Sequence, residues 1–239
     1  MKQKIKITLA AIFLIGGLSV SAQEKKFFFG AKAGFVFSDL SEYSYKTRMK
    51  HSFTGGLTFD YFLNRDLYIS SAIEFANKGA KFDLLNKNEE EGTSLDIKNS
   101  TIAAFYIQVP VHLGYKFDLS EKTRLMVQAG PYIAYGVGGP TELGDEVILK
   151  TPGETITMNL NEYMRHLPYY NLINDWRRDK ETFSDTHFRE FDWGIGIGMG
   201  VEYEHVNISF RYDFGLYNIS QEAGKVKNRN ASVTLGYKF

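Results

Sequence analysis

Apolar residues alternate with small or polar ones through most of the chain. Alternation is the side-chain period of a β-strand, in which neighbouring residues point to opposite faces. Eight segments carry it. The first runs from Phe27 to Ser38, with Phe29, Ala31, Ala33, Phe35 and Phe37 facing away from Gly30, Lys32, Gly34 and Ser38. In the second, Ser52 to Phe62, Phe53, Leu57, Phe59 and Tyr61 oppose Thr54, Gly56, Thr58 and Asp60. The third sets Leu67, Ile69, Ile73 and Phe75 against Tyr68, Ser70, Ala72, Glu74 and Lys78. In the fourth and longest, Thr101 to Phe117, Phe105, Ile107, Val109, Val111, Leu113, Tyr115 and Phe117 alternate with Tyr106, Gln108, Pro110, His112, Gly114 and Lys116. The fifth places Leu125, Val127, Ala129, Ile133 and Tyr135 opposite Arg124, Met126, Gln128, Gly130 and Tyr132. The sixth, Phe191 to Tyr203, has glycine at 194, 196, 198 and 200 on its polar face. The seventh opposes Val206, Ile208, Phe210, Tyr212 and Phe214 to Asn207, Ser209, Arg211 and Asp213, and the eighth closes the chain at Phe239.

The connections alternate too. Leu63 to Asp66, Asp118 to Lys122 and Glu204 to Val206 are short, while Asp39 to His51, Gly79 to Ser100, Gly138 to Arg189 and Ser220 to Asn230 are long. Short periplasmic turns, long outer loops and an even strand count are the marks of a bacterial transmembrane barrel, whose apolar positions face lipid. The pattern therefore predicts an all-β fold: an eight-stranded antiparallel up-and-down transmembrane β-barrel with long extracellular loops. Phe27, Phe29, Phe59, Tyr61, Tyr115, Phe117, Tyr203, Tyr237 and Phe239 all fall at the inferred periplasmic strand ends, where they form an interfacial girdle. A soluble sandwich or ligand-binding barrel would turn the same apolar face inward. It would leave the girdle and the loop asymmetry without a cause.

The first residues fix the compartment. Lys2, Lys4 and Lys6, the apolar run Ile7 to Leu18 and the small residues Ser19 to Ala22 read as a secretory signal peptide over residues 1–22, cut after Ala22, which leaves 23–239 as the barrel. The apolar run falls short of the roughly 20 residues that a spanning helix needs. Loss of the leader changes 28 basic against 28 acidic residues into 25 against 28, and a mildly acidic chain does not fit nucleic acid as a partner. With no cysteine there is no disulfide framework and no thiolate metal site. No cofactor is implied.

The leader ending in Ser-Ala-Gln, Gly30-Ala31-Lys32-Ala33-Gly34, Tyr106-Ile107-Gln108-Val109-Pro110-Val111, the Gly130-Pro131-Tyr132 step, the glycine-alternating sixth segment and the terminal Leu235-Gly236-Tyr237-Lys238-Phe239 resemble the porin-like, or PorT-like, outer-membrane β-barrels of Bacteroidota. The resemblance covers nearly all of Phe27 to Phe239. It implies the barrel fold and no single activity, because the shared motifs are strand and turn features. It also implies that Phe239 helps the β-barrel assembly machinery to recognise the chain.

Eight strands enclose only enough room for their own side chains. Lys32, Asp60, Glu74, Arg124, Glu202, Arg211 and Asp213 all fall on the inward face and should pair, since an unpaired charge in so confined a space is costly. A salt-bridge plug is thus the expected content of the lumen, with the sixth-strand glycines making room for long side chains. No Gly-x-Ser-x-Gly or His-Glu-x-x-His is present, and the five histidines are scattered, so no enzyme is expected. Glu89, Glu90, Glu91 and Asp96 lack the alternating ligands of a calcium loop and read as solvated.

The third outer connection, 138–189, exceeds the usual length of a structureless loop. Tyr169, Leu172, Ile173 and Trp176 have the spacing of a short amphipathic helix after Pro168. Tyr163, Tyr169, Tyr170 and Trp176 are candidate contact residues for an extracellular ligand or envelope protein, or else anchors of a lid packed on the barrel rim. Outer-membrane lipid is the remaining expected partner.

Overall fold

The computed structural model describes residues 26–41, 46–89, 91–165, 180–183, 188–221 and 224–239. Its elements run β1 (Phe27–Ser41), β2 (Thr47–Arg48), β3 (Lys50–Phe62), β4 (Leu67–Asn88), β5 (Thr93–Asp118), β6 (Thr123–Gly138), β7 (Pro140–Glu142), β8 (Glu146–Thr151), β9 (Glu154–Asn159), α1 (Leu160–Arg165), β10 (Lys180–Glu181), β11 (Phe191–Tyr203), β12 (Val206–Gly215) and β13 (Lys227–Lys238). Strands β1, β3, β4, β5, β6, β11, β12 and β13 pair in sequence, each antiparallel to the next, and β13 returns to β1 through Gly30↔Lys238 to Ser41↔Lys227. The ring has no free edge, which a sheet in hydrocarbon requires because lipid offers no partner to an open N–H or C=O. No helix among the described residues is long and apolar enough to cross a membrane. The crossing is made by strands.

The expected facing holds on all eight. Phe35, Ile73, Ile133, Met199, Ile208 and Leu235 are each more than half exposed on the outer surface, whereas Tyr68, Glu74, Gln108, His112 and Asp213 are buried within. So much outward apolar area would aggregate in water, and it belongs in lipid. The girdle forms as well: Phe27 meets Tyr61 at 4.7 Å between ring centroids, Tyr115 meets Phe117 at 4.7 Å, and Tyr237 meets Phe239 at 5.6 Å. The short turns have local causes. Asn64 accepts the N–H groups of Asp66 and Leu67 at 2.9 and 2.7 Å, an Asx turn. Between Tyr203 and Val206 only Glu204 and His205 intervene, with Glu204 at φ 51°.

The outer side differs from the expected loops. Residues 79–100 are mostly strand: β4 and β5 stay paired to Asn88↔Thr93, and Gly92 at φ 61° sits in the tight turn between them. The connection from 138 to 189 holds β7, β8, β9, α1 and β10, with β8 pairing β5 on one side and β9 on the other. Strands of 22 and 26 residues far exceed the 9–11 or so that span a bilayer, so the β4–β5 hairpin stands well clear of it as an outer blade. The lipid-type alternation stops at the bilayer because the outer surface beyond it meets water, and there the inward face becomes the apolar one. Leu40, Phe82, Ile102, Ala104 and Tyr106 pack with Phe183, Phe188, Ile219 and Val226 into a buried cluster over the barrel mouth. A second cluster, Val147, Leu160 and Met164 with Leu95, Ile97, Met158 and Tyr163, joins α1 to the blade. The helix expected over 169–176 lies outside the described residues.

Candidate functional site

Inside the ring, charged side chains from opposite walls meet in three tiers. In the central tier Glu74, on β4, is gripped by the Arg211 guanidinium from β12, while Lys32 Nζ from β1 reaches its Oε2 at 2.5 Å. Arg211 Nε also lies 3.1 Å from Asp213 Oδ1, and Gln108 donates to Asp213 Oδ2 at 3.0 Å. Two cations thus meet two carboxylates, and the fixed fork of arginine suits it to hold both. Space for this comes from the glycine strand: a Cβ on Gly196 would stand 2.7 Å from Asp213 Oδ1 and 2.8 Å from His112 Nε2.

The periplasmic tier repeats the balance. Lys116 donates to both oxygens of Glu202 at 2.7 and 2.8 Å, and Lys238 bridges Glu202 and Asp60 at 2.5 and 2.7 Å. Ser70 completes the shell of Asp60 at 2.7 Å. Lys116 lies 4.9 Å from the Phe62 ring centroid, and Phe62 stacks on Tyr68 at 5.5 Å, so rings as well as charges fill this end. In the outer tier Lys78 approaches Asp192 at 3.5 Å between the rings of Tyr106 and Tyr132, while Asn228 and Tyr132 donate to the same Asp192 oxygen at 2.9 and 3.3 Å. The apolar mouth cluster covers this tier.

Little room is left. The cavity between the periplasmic and central tiers, bounded by Lys32, Asp60, Tyr68, Gln128 and Lys238, is about 50 Å³, enough for a few waters. A wider vestibule of about 290 Å³ opens to the periplasm below Lys116 and Glu202.

Six of the seven residues expected in the lumen network lie in these two lower tiers: Lys32, Glu74, Arg211 and Asp213 together, Asp60 and Glu202 together. Arg124 departs from the expectation. It lies at the periplasmic mouth and pairs with Asp118 at 3.1 Å, half-exposed, because its strand begins one residue earlier. Lys116, Lys238, Lys78 and Asp192 were absent from the expected network although alternation puts each on the inward face. The missed signal was that each is a charge among polar inward positions. Tyr163 is half-buried against the Val147 cluster and so anchors α1, whereas Tyr169, Tyr170 and Trp176 lie outside the described residues. Glu89 and Glu91 are exposed, as a solvated turn requires, and Glu90 lies outside the described residues.

Beyond the bilayer two sites favour the ionised forms of their members. At the periplasmic turns the hydrogen bond and charge of Glu204 raise Lys122, and Lys122 lowers Glu204 across 2.5 Å. On the blade, partial burial works against the ionised form of Asp83, but the Asn99 N–H at 2.9 Å, Arg48 at 2.7 Å and Lys98 together hold it below the ordinary aspartate range.

The model of the family described as outer membrane protein beta-barrel domain matches residues 21–221. Among solved structures the chain is similar to Ail, the attachment invasion locus protein of Yersinia pestis (13% identity, 90% of this chain and 99% of that chain, TM-score 0.37). It is also similar to neisserial surface protein A (12%, 90% and 98%, TM-score 0.40). A third is the outer membrane protease OmpT of Escherichia coli (9%, 92% and 99%, TM-score 0.42). A search of curated proteins returns no match.

Proposed function

We propose, starting from a chain that belongs to the outer membrane protein β-barrel family and resides in the bacterial outer membrane, that it is a closed barrel with a structural or surface-binding role. The observation that carries this reading is the stack of compensated charge tiers beneath an apolar mouth cluster, with about 50 Å³ free between the lower tiers. Such a lumen is a plug, and its value to the cell then lies in the parts that reach beyond the bilayer: the blade and the segment that follows it. A rigid support with elements projecting outside the membrane is how barrels of this size present contact surface.

The finer assignments rest on sequence. The motifs from Gly30 to Phe239 favour the PorT-like barrels of Bacteroidota, residues 1–22 a cleaved leader, and Phe239 a contact for the assembly machinery. The non-enzymatic reading is supported by His112, which is enclosed in the central tier beside Gly196 rather than set in a mouth open to substrate. Extracellular ligand or envelope protein, with outer-membrane lipid, are the partners proposed, and nucleic acid is not. A role in a secretion or assembly complex would show instead as proteins that co-purify after mild detergent extraction.

Planar-bilayer recording tests the central claim. The purified full chain should add no conductance steps. Ohmic steps in the parent protein refute the plug and make the barrel a small-solute porin.

A further inference from the structure

Where the lipid-facing surface ends on the outer side, β12, β13, β1 and β3 present successive rows of outward side chains. Phe210, Val233, Phe35 and Phe53 form one row; Tyr212, Ala231, Phe37 and His51 form the next outward; Phe214, Arg229 and Asp39 the one after. Ala231 is the only small residue in its row. Its side chain leaves a notch between Tyr212 and Phe37, and this notch is part of a cavity of about 220 Å³ that also touches Met49 and Arg229.

Arg229 is held in place at the outer end of the notch. Its Nη1 donates to the carbonyls of Gly215 and Asn228 at 2.6 and 3.1 Å, and its guanidinium carbon lies 6.0 Å from the Phe214 ring centroid. Nε and Nη2 make no hydrogen bond to the described residues. Asp39 stands opposite Arg229 on β1, yet its carboxylate accepts the N–H of Leu40 at 2.8 Å and forms no ion pair with Arg229 among the described residues. A guanidinium with one edge anchored and the other edge free is an unused two-pronged donor.

We propose that this notch seats one phosphate-bearing lipid of the outer leaflet, with an acyl chain beside Ala231 between Tyr212 and Phe37 and the phosphate oxygens accepting from Arg229 Nε and Nη2. The occupant follows from polarity and place. The apolar part of the notch is continuous with the lipid-facing row below it, and the cation stands one row farther out, which is the order of tail and headgroup in the leaflet. A free phosphate would use the arginine and leave the apolar part unoccupied. Asp39 is the adverse charge of the site, and it limits affinity. The inference stands apart from the closed-lumen reading, since it concerns the outer surface alone.

The test uses the purified full chain in neutral detergent, titrated with phosphatidate, with diacylglycerol of the same chains and with inorganic phosphate, binding being followed by native mass spectrometry. Phosphatidate should bind about tenfold or more tighter than diacylglycerol, as a charge-assisted two-pronged contact provides. Arg229→Gln should erase that preference, Asp39→Asn should enlarge it, and Ala231→Leu, which fills the notch, should weaken both lipids. A merely structural Arg229 would not give opposite signs at 229 and 39. An unchanged preference in Arg229→Gln overturns the proposal, as does displacement of phosphatidate by inorganic phosphate, which would make the site one for the free anion. If Arg229→Gln fails to fold, Ala231→Leu decides, because full phosphatidate affinity in that variant overturns the seat.

Discussion

Truncating Arg211 to alanine tests the plug at its most connected point. The guanidinium is almost fully enclosed, with side-chain exposure of 9%, and it serves two carboxylates, Glu74 at 0% and Asp213 at 4%. Its loss does not strand them equally. Glu74 keeps Lys32 at 2.5 Å, while among the described residues Asp213 keeps the Gln108 amide at 3.0 Å and no ion-pair partner. Removing one partner of a buried pair costs about 3–5 kcal/mol, chiefly through the charge left behind. Because half of the stranded charge keeps a cation, the lower end, about 3 kcal/mol, is expected. Arg211→Ala/Asp213→Asn should recover part of the loss, since the stranded carboxylate is gone, whereas Arg211→Ala/Glu74→Gln should recover less. The assay is urea unfolding in detergent micelles, followed by Trp193 fluorescence and by the mobility difference between boiled and unboiled protein. A single mutant within about 1 kcal/mol of the parent, or equal recovery from the two double mutants, would refute the assignment of Asp213 as the stranded charge.

Other perturbations probe other parts. Ile197→Arg puts a cation on the lipid face and should cost on the order of 2–4 kcal/mol if it lies near the midplane, read from unfolding midpoints in bilayers; a harmless substitution would place the face wrongly. Gly196→Val drives a branched side chain into Asp213 and His112 and should destabilise by about 1–3 kcal/mol, so parental stability would contradict the crowding seen there. Excising residues 146–179 removes β8, β9 and α1 but spares β10, Thr182 and Phe183, and the product should remain heat-modifiable; failure to assemble would make the excised segment part of the fold rather than a separable addition to the blade. Asp83 has a folded value below its unfolded 3.8, so its contribution to the blade is complete above that pH and is lost as pH falls through the lowered value. Amide exchange at Asn99 should therefore rise on strong acidification while the ring strands stay protected, and unchanged exchange there would argue against the role given to Asp83.

The membrane-spanning part was legible because lipid imposes one rule on every residue. Phe191 to Tyr203 alternates so strictly that its register with β6 and β12 follows the facing read from sequence, residue by residue. The blade was not legible for the same reason. At Phe82, Leu84 and Leu95 no single solvent dictates the outer face, a bulge shifts the register between Phe82 and Leu84, and a paired hairpin looked like a loop. Charge pairing was half legible. Periodicity puts Lys116 inside, but its meeting with Glu202 depends on two strands, β5 and β11, that are separated in sequence and in the ring by β6.

Closure of the ring sets the order in which the barrel can form. The hydrogen bonds that seal it join β1 to β13, the first strand to the last, and they include Ala31 opposite Tyr237. Every other seam joins two ring strands that follow one another in chain order, whereas this one cannot begin until β13 has been delivered. Loop-closure entropy across the whole span from β1 to β13 must be met before that seam returns any stabilisation, which places it among the slow, non-local steps of folding. Until then β1 and β13 each present a bare edge and a row of phenyl and aliphatic groups to whatever surrounds them. The chain therefore has to travel from synthesis to bilayer as an open sheet or less, and a single substitution at the seam, on Gly34 where β13 passes closest, would be felt as a failure of delivery before it was felt as a loss of stability.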